Sequence, residues 1–120
     1  MTGSVRIRRA ADGRHAIDMG GSVAVELFGK GSFHVWLYNG IKYASGIGKL
    51  WTEQGFPIAF ALDQCATRGL VPCFTGAKDE LRQGGMDDID ARSAIEDGIR
   101  DMCCSVPIEW ADMLAKFRGT

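Results

Sequence analysis

No apolar run in this chain of 120 residues approaches the roughly 18 that a membrane-spanning helix needs, and its first residues, MTGSVRIRRAADG, carry arginines with no apolar stretch behind them. A helical membrane span is excluded, neither a secretory signal nor an anchor is expected, and the chain is assigned to the cytoplasm. The four cysteines are expected to be reduced there. They also lack the spacing of a structural zinc site. Cys65 and Cys73 are too far apart for a C-x2-4-C knuckle, and the adjacent pair Cys103-Cys104 chelates poorly.

Other signatures are missing as well. The segment GSVAVELFGKGS contains no G-x4-G-K-[ST], and its GKGS falls between two strand-like stretches instead of ahead of a helix, so the geometry that cradles phosphate is absent. No RNP-like run and no cysteine-protease or phosphatase motif is present. His15 and His34 are the two histidines, and spacing alone gives neither a thiolate to act on. These absences leave no catalytic residue, no metal ligand and no cofactor to name, and the expectation is that the chain is not an enzyme. Cys65 and Cys103 are expected to be small core residues on helix faces.

What is present reads as one domain over residues 1–120, with a β-rich part at 1–46 and a helical part at 47–120. Apolar residues make up 46% and charged ones 24%, a globular composition. The net charge of -1 hides an asymmetry. Residues 1–50 carry seven Lys/Arg against three Asp/Glu, a balance of +4, and residues 51–120 carry seven against twelve, a balance of -5.

Hydrophobic period two runs through the first part. A three-residue Ala11-Asp12-Gly13 loop places Ile7 opposite Ile17, whereas a two-residue turn would set Arg8 against Ile17. VAVELF follows, and a Gly29-Lys30-Gly31 loop would bring Leu27 opposite Phe33, Val25 opposite Val35 and Glu26 opposite His34. Asn39-Gly40 predicts a type I′ turn, because both central residues need positive φ, and it pairs Tyr38 with Ile41 and Trp36 with Tyr43.

From about residue 47 the period becomes helical. IGKLWTEQ reads as a short helix or a linker ending at Gly55. Pro57 opens a helix stopped at Gly69, LVPCF is a short strand or connector, and Thr75 is a candidate cap for a helix to Gln83. Asp87 or Asp88 starts a longer helix to about Cys103. Ser105 and Pro107 open the last one, whose stripe Trp110, Met113, Leu114 and Phe117 is expected to dock on the sheet. The fold class is therefore α+β: an N-terminal antiparallel β-meander of about five strands packed with three to four C-terminal helices.

Two surfaces are candidates for use. One is the aromatic sheet face of His34, Trp36, Tyr38, Ile41 and Tyr43 with Arg6, Arg8 and Arg9 on the first hairpin. Such a face suits a protein partner, a second copy of the chain, or nucleic acid stacked on the rings. The other is the acidic face of residues 87–101, including Asp90, Glu96, Asp97 and Asp101, which would attract a basic patch.

The leading expectation is a small non-enzymatic binding protein that occupies a partner protein's surface. An inhibitor of a nucleic-acid-processing complex, of the anti-CRISPR type encoded by phages and mobile elements, is its specific form. Direct nucleic-acid binding and a thiol- or zinc-dependent enzyme are the alternatives.

Overall fold

Asn39 and Gly40 have φ of 50° and 77°, the positive values a type I′ turn demands, and they fold the chain into its best-defined hairpin. The computed structural model describes residues 7–9, 15–17 and 34–120. Strands β1 (Ile7–Arg9), β2 (His15–Ile17), β3 (His34–Tyr38) and β4 (Ile41–Ser45) are antiparallel neighbours in that order. Tyr38 pairs with Ile41, Trp36 with Tyr43 and Ile7 with Ile17, the registers that parity requires.

One expected neighbour is different. Opposite Leu37 stands His15, so β2 borders β3 at that point, on the side where the VAVELF segment was expected. Both segments alternate with period two, and pattern alone does not rank two suitable neighbours. VAVELF itself lies outside the described residues. The last strand of the sheet, β5 (Val71–Pro72), arrives from the helical part and runs parallel to β4, with Tyr43 opposite Val71 and Ala44 opposite Pro72. The Cys73 N–H extends that pairing to the Ala44 carbonyl at 2.8 Å.

Five α-helices follow the hairpin, more than the three to four expected, because IGKLWTEQ folds as a helix of its own. Helix α1 (Ile47–Gln54) is bracketed by Gly46 and Gly55, both left-handed. Helix α2 (Ile58–Thr67) begins after Pro57, and the left-handed Gly69 follows its end.

Helix α3 (Phe74–Gln83) starts one residue before the expected cap. Cys73 occupies the cap position, and Thr75 lies inside the first turn with its hydroxyl 3.8 Å from the Cys73 sulfur. β5 runs directly into α3, so the strand fixes where the helix can begin. Helix α4 (Asp88–Arg100) is capped by Asp87, which accepts the Asp90 N–H at 2.7 Å. It ends at Arg100, not near Cys103, and the carboxylate of Asp63 on α2 takes the N–H groups of both Cys103 and Cys104 at 3.0 Å. Those two donors bind across to α2 instead of continuing a helix. A 3-10 turn (Ile108–Trp110) then leads into α5 (Ala111–Arg118).

The stripe of the last helix joins the same buried core as Val35 and Ala44 of the sheet. Trp110 and Phe117 close around Phe74 of α3, with ring centroids 5.7 and 6.1 Å away, and the Trp110 indole donates to the Leu70 carbonyl at 3.0 Å. Phe74 opens α3 two residues after β5, the strand that pairs with β4. Leu50, Leu62, Leu81 and Ile95 complete the core from the other helices.

Close helix approaches depend on small residues. A Cβ at Gly48 of α1 would lie 2.6 Å from the Ala77 carbonyl of α3, and one at Gly98 of α4 would lie 2.6 Å from Ile58 of α2. Val35 and Ala44 of the hairpin belong to the same core, at 2% and 0% exposure.

Candidate partner-binding surface

Alternation along the hairpin sends Val35 and Ala44 inward and His34, Tyr38 and Ile41 to the opposite face, where His34 is exposed and Tyr38 and Ile41 remain 41% and 42% accessible. Tyr38 and Ile41 are cross-strand partners, so they form one patch beside the turn. Next to it lies a groove of about 630 Å³ between the hairpin tip, the turn after α2 and the start of α5. Ile41, Val71 and Ile108 supply its apolar surface, and Lys42, Arg68 and Asp112 are among its charged walls. Ile108 is 85% exposed, an unusual state for an isoleucine held in a short helical turn.

The aromatic face is thus open at its tip and partly closed farther along. Tyr43 is half-buried and packs against the core. Trp36 occupies the strand position opposite Tyr43. The basic residues expected near these rings, on the first hairpin, are Arg6, Arg8 and Arg9. Arg8 is in β1 opposite Ala16 and Arg9 opposite His15, with β2 between them and β3. Arg6 and Glu26, the expected partner of His34, lie outside the described residues. Lys42 and Arg68 line the groove.

The acidic face is less free than the sequence suggests. Arg118 grips Glu96 with two hydrogen bonds of 2.9 Å and holds its carboxyl below the usual range. Asp88 is held low chiefly by Arg92 at 2.6 Å and also by Lys78, the one buried charge among the described residues. Asp97 meets Arg100 at 2.5 Å. Asp90 is exposed in the first turn of α4, and Asp101 is exposed at its C-cap. These carboxylates do not form one continuous surface, because internal arginines neutralise several of them.

The thiols fall into separate places. Cys65 is a core residue, as expected, and burial pushes its pKa up to about 12. Cys103 is exposed beyond α4, not on a helix face, because α4 ends before it. At Cys104 the neighbouring Asp63 carboxylate raises the pKa, which disfavours a thiolate. Asp63 itself is drawn two ways: burial raises it, while the two amides it accepts lower it below its ordinary value. Among the described residues no three His, Cys, Asp or Glu side chains converge as a metal site requires, and no helix is long and apolar enough to cross a membrane.

Sequence reasoning missed Ile108, Arg68 and Trp51. Ile108 gave a weak signal, standing just after Pro107 and outside the Trp110 stripe. Arg68 gave none, because its place beside Lys42 depends on the β4–β5 pairing. No protein-family model matches this chain, and no curated protein or solved structure matches it either.

Proposed function

We propose that this chain is a small non-enzymatic binding protein that acts by occupying a surface of a partner protein. The observation carrying the reading is the exposed apolar set Tyr38, Ile41 and Ile108, which borders a groove built from segments nearly 70 residues apart in sequence. A fold with room for Trp110 and Phe117 in its core still leaves these three residues in water, and such patches mark interaction sites. An inhibitor of a nucleic-acid-processing complex, of the anti-CRISPR type carried by phages or mobile elements, is the specific form we favour.

Tagged parent protein and an Ile41→Asp/Ile108→Asp variant, each used as bait in host extract at low salt, test the reading. A protein retained by the parent and lost with the folded variant supports it. No retained protein, or equal retention by both, goes against it. For the inhibitor form, the parent should suppress target cleavage by a purified CRISPR effector and the variant should not.

A second copy of the chain is another candidate occupant, which light scattering would show as a dimer dispersed by the same variant. Nucleic acid is favoured by one observation, the presence of Lys42 and Arg68 on the groove that Ile41, the cross-strand partner of exposed Tyr38, also lines. Filter retention of single-stranded nucleic acid that falls in Arg68→Ala would establish it. Glu109 and Asp112 on the same groove argue the other way.

A further inference from the structure

Residues of α1, α2 and α4 line a second and smaller notch of about 190 Å³. Its walls include Trp51, Pro57, Ala94 and Gly98, with Asp97 and Asp101 at the rim. Gly98 lets α4 close on Ile58 of α2, which brings the carboxylates of α4 to the same opening as the indole of α1. Trp51 is 41% exposed.

Resting on the reading of this chain as a binding protein, we propose that the notch receives an arginine side chain of the partner. Charge complementarity selects the occupant. Asp97 stands in the last turn of α4 and Asp101 at its C-cap, the negative end of the helix, where carboxylates are unfavourable and cations are favoured. Arg100 answers Asp97 alone, and no ion pair is formed by Asp101 among the described residues. The apolar floor suits the aliphatic stem of a long side chain, and the Trp51 ring offers a face to a cation.

Arginine fits better than lysine for two reasons. Its planar guanidinium stacks on an indole while its fork presents several N–H donors to neighbouring carboxylates, and it is more weakly hydrated than an ammonium group. An uncharged apolar side chain would fill the floor but leave Asp101 without a counter-charge.

The test is a titration of nitrogen-15-labelled protein with acetyl-Gly-Arg-Gly-amide and its lysine and citrulline counterparts, followed at the Trp51 indole and the Asp97 and Asp101 amides. The arginine peptide is expected to shift these signals saturably, the lysine peptide to bind about threefold more weakly, and the neutral citrulline peptide to leave them in place. Trp51→Leu and Asp101→Asn should each weaken arginine binding about fivefold, with the remaining spectrum unchanged as evidence of folding.

Equal shifts from citrulline, or none from arginine at millimolar concentration, overturn the proposal. So do Trp51 shifts that follow protein concentration without peptide, which would make a second copy the occupant. Extract capture separates this inference from the broader reading. A partner retained equally by Trp51→Leu, Asp101→Asn and the parent, but lost with Ile108→Asp, removes the arginine notch and leaves the binding function in place.

Discussion

The two faces of the β3–β4 hairpin were built from the same alternating sequence and met opposite fates. Val35 and Ala44 are sealed into the core, whereas Tyr38 and Ile41, three register steps away, stay over 40% exposed. Apolar character does not separate them, since Ile41 is at least as apolar as Ala44. Position does. The inward face joins the core that the helices complete, and Trp110 and Phe117 of the last helical segment lie in that same core against Phe74. An apolar residue left outside after the core is full is available for association.

The largest way to break this contrast is to charge the closed face. Val35→Asp would bury an unpaired carboxylate and should lower stability by about 4 kcal/mol or more, read by urea denaturation. Next comes the packing of the helical layer. Gly48→Ala forces a Cβ against the Ala77 carbonyl, a backbone atom that cannot rotate away, and should cost about 2 kcal/mol in the same assay.

The open face should respond in the reverse sense. Ile41→Asp and Tyr38→Ser are expected to change stability by no more than about 0.5 kcal/mol while reducing partner capture. A large loss of stability from either one would show that the outer face is structural.

The smallest expected effect concerns the paired carboxylates of the helical layer and appears as a pH dependence. The Arg118 hydrogen bonds depress Glu96 in the folded protein, so the unfolded chain binds more protons as the solution is acidified. That contribution is complete above the ordinary glutamate value of about 4.3 and is lost as pH falls through the lower folded value. Glu96→Gln should therefore reduce Tm slightly at pH 7, with the gap to the parent closing on acidification. A gap that persists below the folded value would place the effect in packing and not in charge.

Much of the local architecture was legible from residue type. Asn39-Gly40 specified its turn through positive φ, and Pro57, Gly69, Asp87 and Gly84-Gly85 marked helix boundaries through the conformations and donors those residues favour. Legibility failed where distant groups compete. Beyond the end of α4, a carboxylate 40 residues before Cys103 holds the amides of Cys103 and Cys104, and no window around Cys103 contains Asp63. The acidic face looked continuous because Arg118 lies a helix away from Glu96 in sequence and against it in space.

The candidate surface was half visible for the same reason. Tyr38, Ile41 and His34 follow from alternation, but their joining with Ile108 required the groove to be built.

By itself, then, the sequence determined the α+β class, the registers about Asn39-Gly40 and between Ile7 and Ile17, and the division of the hairpin into an aliphatic and an aromatic face. Those are short-range consequences of period, chirality and turn geometry. Tertiary structure alone decided that β5 would join β4 in parallel, that Trp110 and Phe117 would close on Phe74, and that Tyr38 and Ile41 would remain uncovered. Several apolar stripes could have served each face, and only packing them together in one volume selects which surface is left to water.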